Sequence, residues 1–464
     1  MGSLVSSLRW QAFESFFSLS RAGSLFASST LKLSSFPAPA TVAATYLKSA
    51  APPPQQKHVV IIGGAYAGLS TLINIQKLLS GEPHVASPYS PPALSSLPRT
   101  PPKITILDER DGVVHTVGTP LVHTSPNYAK TTQHFWKKYE DIPYLRGVEV
   151  LQGRVESVHP DRKELLYVPA DSDGEKGKSL AYDYLVCATG LKRAWPVQPR
   201  TTKKEEFVRD TKKLVEELID AKDSVVVVGG GAVGTEFAAE LKLTQPEKRV
   251  ILIHSRNVLL STEPLPDEFK AKALELLEEA GVEVMLNTRV LDESAGELQL
   301  STGATLKASH VLWCVGRQHP STTYLPAAAL DAKSGLVAVS STLNFPSSVA
   351  NSNAHYAVGD IARWSGIKRV GSALLMGSFA ARNLVQSMVA EENNEEPKLA
   401  EFPEIPPMLV LALGKKAVGY HQAMGFTFGE EPLKQSFGDD LGLSICWGCL
   451  NLEVDGTATQ TGEN

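Results

Sequence analysis

The stretch SVVVVGGGAVGTEFAAEL places Gly229, Gly231 and Gly234 at the spacing G-x-G-x-x-G behind a four-valine run. Each glycine in such a turn has its own task. The first permits a tight turn, the second lets a pyrophosphate approach the backbone, and the third allows close packing of helix on strand. The N-terminus of the following helix then faces the anion with its free N–H groups and its dipole. These residue types at this spacing point to a dinucleotide. A second stretch, VVIIGGAYAG, repeats the arrangement with Gly63, Gly64 and Gly68, but Ala65 stands at the middle glycine position. Alanine adds one methyl. It is acceptable where φ is negative, because the position then needs room and not an unusual conformation.

The strands that follow the two fingerprints differ at their ends. KITILDE returns a carboxylate, with Asp108 as candidate for an adenosine ribose and Glu109 as the neighbouring alternative. RVILIHS returns none: His254 stands near the expected place and Arg256 follows. An acid there holds the ribose hydroxyls of NAD, whereas a basic residue accommodates a 2′-phosphate. NADH and NADPH both stay open for the second site.

The elements that position these residues form two halves. In the first, a strand from His58 leads through the glycine turn into the helix LSTLINIQKLL, a Pro/Ser-rich surface insertion over 81–102, and KITILDE. Residues 148–186 read as short strands ending in YLVCATG. The second half begins at Ser224 and ends in HVLWCVG, so both halves close on a small residue and a glycine, Gly190 and Gly316. The fold class is α/β, with two Rossmann-like dinucleotide-binding domains and a small C-terminal α+β region. PPMLVLALGKKAVGY reads as two strands across a GKK turn, and DGTATQTGEN as a polar tail.

At 464 residues the chain exceeds what one core usually serves. Its net charge of −5 gives no electrostatic case for nucleic acid. No apolar run approaches the length of a spanning helix, about 20 residues. Of the four cysteines, Cys187 and Cys314 lie in apolar strand-like runs and read as inert buried thiols. Cys446 and Cys449, in CWGC, have redox or metal-ligand spacing, but one pair does not fill a tetrahedral zinc site and no metal is assigned. Ordinary packing and a redox dithiol remain.

Residues 1–56 are rich in Ser, Ala and Pro, with Arg9, Arg21, Lys32 and Lys48 against Glu14 alone. Val5, Leu8, Ala12, Phe16 and Leu19 recur at helical spacing. An imported transit segment and an interfacial helix carrying Trp10 both fit, as does disorder. MGSLVSS also matches a myristoylation signal at Gly2 and Ser6.

The paired fingerprints, ATG at Ala188–Gly190 and YAVGD at Tyr356–Asp360 together resemble the FAD/NAD(P)-linked, pyridine nucleotide-disulfide type oxidoreductases. Within that superfamily the chain resembles the AIF-like, ferroptosis suppressor group, related to type II NADH dehydrogenases. The resemblance implies FAD at the first fingerprint, with Gly63, Gly64, Ala65 and Gly68 along its pyrophosphate and Asp108 on its ribose. Gly359 and Asp360 would meet the ribityl–pyrophosphate region, and Gly190 and Gly316 would be close-approach glycines. NADH or NADPH would take Gly229, Gly231, Gly234, His254 and Arg256, with the acid Glu236 beside the nicotinamide. The implied division is a discontinuous FAD domain (57–195 and 329–400), an inserted NAD(P)H domain (196–328) and a C-terminal region (401–464).

The disulfide reductases of that superfamily carry a C-x₄-C dithiol soon after the first fingerprint; this chain departs from them, since its first cysteine is Cys187. Electrons therefore cannot leave through such a dithiol. The resemblance then implies transfer from NAD(P)H through FAD to a quinone-like acceptor, at a mitochondrion or the cytoplasmic face of a membrane, with the cytoplasm also open. Slow oxidation by oxygen and redox-gated cell-death signalling are the alternative roles; the oligomeric state is open. For the first fingerprint the expected outcome is that Ala65→Gly leaves FAD content unchanged and Ala65→Val releases FAD. Flavin absorbance per protein after desalting reads this, and full retention by the valine variant would move the turn away from the pyrophosphate.

Overall fold

The computed structural model describes residues 56–82, 90–172, 177–315 and 319–452. The N-terminal segment, Gly316 and the polar tail, about which the sequence raised expectations, lie outside the described residues.

Strand β1 (His58–Ile62) is buried over its last four residues because it lies between parallel neighbours, which suits a continuous apolar run and not an alternating one. Helix α1 (Tyr66–Ser80) follows, then β2 (Lys103–Asp108) beside β1. After the short helix α2 (Thr119–Thr124) come β3 (Glu149–His159), β4 (Glu164–Pro169), β5 (Lys178–Ala181) and β6 (Tyr184–Cys187).

Helix α3 (Lys204–Asp220) leads into the second unit: β7 (Ser224–Val228), α4 (Ala232–Thr244), β8 (Arg249–Ile253), α5 (Asp267–Glu279), β9 (Glu283–Met285) and β10 (His310–Trp313). The chain then returns as β11 (His355–Ala357) and the long helix α6 (Val370–Asn393). The C-terminal region holds β12 (Met408–Leu413), β13 (Lys416–His421), β14 (Gly425–Gly429), α7 (Glu430–Phe437) and α8 (Leu443–Cys449).

The first sheet has the order β11-β6-β1-β2-β3-β4-β5, and the second β9-β8-β7-β10. In both, the fingerprint strand is central, with the following strand on one side and the strand of the ATG or CVG ending on the other. The first sheet is completed by β11, which arrives only after the entire second unit. The α/β class and the repeated plan are therefore present. The expected pair of C-terminal strands is instead a three-stranded antiparallel sheet, β12-β13-β14, followed by two short helices. Leu411, Leu413 and Val418 of this sheet share a core with Phe237 of α4 and Phe269 of α5.

One contact recurs in both units. A Cβ on Gly68 would lie 1.8 Å from the carbonyl oxygen of Gly63, and one on Gly234 would lie 1.8 Å from that of Gly229. Gly63 and Gly229 themselves have φ of +98° and +121°. At the middle position the backbone is ordinary: φ is −95° at Ala65 and −82° at Gly231, and nothing lies within 4 Å of a Cβ built on Gly231. Gly68→Ala and Gly234→Ala should each destabilise by about 1–3 kcal/mol or more, despite alanine's better helix propensity. Gly231→Ala should stay within about 0.5 kcal/mol of the parent. Thermal and urea unfolding measure the contrast, and equal effects at all three positions would contradict it.

Candidate functional site

Both fingerprints are held by a hydrogen bond from the strand beside them. The amide of Gly64 donates to Asp108 Oδ2 at 2.6 Å, and Asp108 Oδ1 accepts from the amide of Arg110 at 2.8 Å. In the second unit the amide of Gly230 donates to His254 Nδ1 at 3.1 Å, and His254 Nε2 lies 3.3 Å from Ser261 Oγ. The C-terminal ends of parallel strands bring these groups to the turn because β1 and β2, like β7 and β8, run in register. Burial lowers the proton affinity of His254; a hydrogen bond with the Val258 backbone opposes this, and Arg256 lowers it further.

A cavity of about 590 Å³ opens in front of the first turn. Gly63, Ala65, Asp108, Gly190, Gly359 and Asp360 line it, as does Glu236 from the second unit. Gly64 and Gly68 lie behind that wall, Gly64 facing Tyr139 and Gly68 packed on Gly63. Gly229, Gly231, Gly234, His254 and Arg256 belong to the other turn and do not line the cavity. The opposite wall is apolar, formed by Met408 to Leu411 of β12, Tyr420 of β13 and Ile445 of α8.

Several lining residues carried no signal in the sequence. Arg110 Nε is buried without a hydrogen-bond partner, and the Tyr139 hydroxyl is buried beside Asp108. Arg193 Nη2 lies 3.5 Å from Asp360 Oδ2. Lys368 donates to the carbonyl of Ala362; burial lowers its pKa and Asp360 opposes this. Only the return of β11 and the loop before α6 brings Asp360 and Lys368 to this wall. No periodicity or motif ties them to Arg193.

One lining residue, Glu236, is a half-buried acid, and Glu240 is buried behind it on α4. Glu236 is pushed up to about 8, chiefly by burial; the amide of Ala412, 3.3 Å from Oε1, opposes this and Glu240 adds to it. Glu240, one turn along the same face of α4, is pushed up to about 7 by burial. Cys446 lines the cavity as well, but burial pushes its thiol and that of Cys449 well up, which opposes nucleophilic thiolate chemistry. Burial also pushes Cys187 and Cys314 up to about 12, in keeping with inert thiols. Among the described residues no helix is long and apolar enough to cross a membrane.

The family model for pyridine nucleotide-disulphide oxidoreductases matches residues 57–377. Oxidoreductase OXR1 of Ajellomyces capsulatus is 40% identical over 415 residues, covering 85% of this chain and 87% of that protein. Ferroptosis suppressor protein 1 of Homo sapiens is 26% identical over 400 residues, covering 84% and 95%. The solved sulfide:quinone oxidoreductase of Aquifex aeolicus superposes with a TM-score of 0.60 at 18% identity, over 84% of this chain and 92% of that one.

The buried acids make stability depend on pH with a definite sign. An ordinary glutamate titrates near 4.5, and Glu236 at about 8. Between those values the native state holds more protons than the unfolded one, so the contribution of this group falls as pH rises. Glu236→Gln removes the titration. The variant should gain stability relative to the parent on going from about pH 5 to about pH 8, by on the order of 1 kcal/mol or more. Denaturant melts at both pH values measure the difference; a gap that is constant or narrows would place Glu236 in a solvated setting.

Proposed function

The chain belongs to the pyridine nucleotide-disulphide oxidoreductase family, and on that premise we propose that it is an FAD-dependent NAD(P)H oxidoreductase delivering electrons to a quinone-like acceptor. The observation that carries this reading is one cavity shared by three parts of the chain. One wall comes from the first glycine turn, one from the start of α4 in the second unit, and one from the apolar strand β12.

The first wall fits FAD. Gly63 has a positive φ, and a Cβ on it would lie 2.6 Å from the carbonyl of Ala188, so this turn lies close on the neighbouring strand while Gly63 and Ala65 line the cavity. The orphaned Arg110 Nε would offer a donor to the adenosine end. Asp108 keeps lone pairs beyond those used by Gly64 and Arg110, enough to accept from ribose hydroxyls. Ala65 and the N-terminus of α1 would face the pyrophosphate, and Asp360 with Arg193 and Lys368 would hold the ribityl and flavin end. Bound there, FAD supplies acceptance of a hydride and release of two electrons.

The second unit would present the nicotinamide through the first turn of α4, where Ala232, Val233 and Glu236 line the cavity. Reduction of a quinone to its quinol by NAD(P)H consumes one proton beyond the hydride. Glu236, largely protonated near neutral pH, can hold that proton at its carboxyl. The apolar wall of β12 and α8 suits a quinone ring and excludes water from it. One name supports the acceptor class: the solved Aquifex aeolicus protein of the same fold is a sulfide:quinone oxidoreductase.

Anaerobic addition of NADH or NADPH to FAD-loaded protein should bleach the flavin, and a short-chain ubiquinone analogue should restore its colour. Absence of flavin after reconstitution sinks the proposal. Reoxidation by oxygen alone, with a long-lived reduced complex, would favour the signalling role instead. Glu236→Gln should retain FAD and lower quinone turnover by about 10²-fold.

A further inference from the structure

We infer that the second unit is built for a coenzyme carrying a 2′-phosphate on its adenosine ribose, with His254 and Arg256 setting that choice. This rests on the reading that the second unit binds a nicotinamide coenzyme. The molecule contains its own control, because the first unit has the same construction. Gly63 and Gly229 share a positive φ, and each following amide, Gly64 or Gly230, donates to the residue ending the neighbouring strand.

That residue is Asp108 in one unit and His254 in the other. A carboxylate accepts at both oxygens, brings a negative charge, and has lone pairs left for two ribose hydroxyls. His254 offers none of these. Its Nδ1 is the acceptor for Gly230, so the ring proton sits on Nε2, near Ser261 Oγ. The ring is therefore a spent acceptor, and it is neutral. From His254 the sequence holds no acid until Glu263. Burial raises the pKa of Glu263, and the charges of Lys270 and Arg193 oppose this.

Positive charge is available beside it. Arg256 is exposed and makes none of the ion pairs found among the described residues. Its carbonyl accepts from the amide of Asn287 at 2.9 Å, and that of His254 accepts from the amide of Thr288 at 3.0 Å. These two bonds fasten the segment 254–256 to the loop that carries Arg289, a second exposed guanidinium without an ion pair among the described residues. Planar guanidinium groups are the side chains best matched to phosphate oxygens. NADH has only a neutral hydroxyl at this point and gains no guanidinium–phosphate ion pair.

Calorimetric titration of the FAD-loaded protein with adenosine 2′,5′-bisphosphate and with AMP tests this without turnover. The bisphosphate should bind at least about tenfold more tightly, the size of one charge-assisted hydrogen bond, and the gap should shrink as salt rises. Arg256→Ala should remove most of the gap. His254→Asp keeps an acceptor for the Gly230 amide and should invert the preference. The ratio of kcat/KM for NADPH over NADH should follow the same order. Equal binding of the two nucleotides, or a gap unchanged in Arg256→Ala, overturns the inference while leaving the oxidoreductase reading intact. Binding of neither nucleotide, with no bleaching by either coenzyme, overturns both.

Discussion

The two nucleotide-binding units depend on one contact: the third glycine of each fingerprint against the carbonyl of the first. With 1.8 Å between that oxygen and any added Cβ, the helix can meet its strand only if no side chain intervenes. Once it does, the chain must reverse within the turn, and Gly63 and Gly229 take up the positive φ that this requires. The amide after each reversal is left pointing sideways. It would be an unmet donor without the residue at the end of the next parallel strand. Helix position, turn and strand register thus follow from one steric fact, and the helix N-terminus is left facing open space where an anion can sit.

This explains what could be read from the sequence. Fingerprint glycines are a local signal, since their spacing encodes a contact made within six residues. Apolar runs such as VVII and SVVVV announced buried parallel strands for the same reason. Asp108 and His254 were legible because parallel register carries the end of one strand to the turn of the next. Lys368, Arg193, Tyr139 and Arg110 were not, because loops and a returning strand from distant parts of the chain bring them together. The third C-terminal strand was missed too: GFTFG is short, and its antiparallel pairing with β13 depends on a turn with no strong signature.

The scaffold also separates architecture from electrostatics. A carboxylate and a neutral imidazole both satisfy the amide that follows the first glycine, so the turn is indifferent to which one is present. The charge met by a ribose can therefore change without disturbing the fold. The middle glycine position has a similar freedom. Its backbone conformation is open to alanine in both units, so Ala65 is a difference in clearance and not a broken motif.

Glu236 and Glu240 have no comparable structural justification. Burial raises the proton affinity of both carboxyls, one turn apart on α4, and Glu240 adds to the effect at Glu236. Phe237 and Leu241, on the same helix, show that this region accommodates large apolar side chains. Replacing a buried ionisable group by a packed apolar one is commonly neutral or stabilising. A site that nonetheless keeps an acid, raises its pKa toward neutrality and exposes it to a cavity joining three parts of the molecule is arranged for proton holding, not for stability. The same burial that makes the carboxyl costly in the fold keeps its proton in place until a reacting group in the cavity takes it.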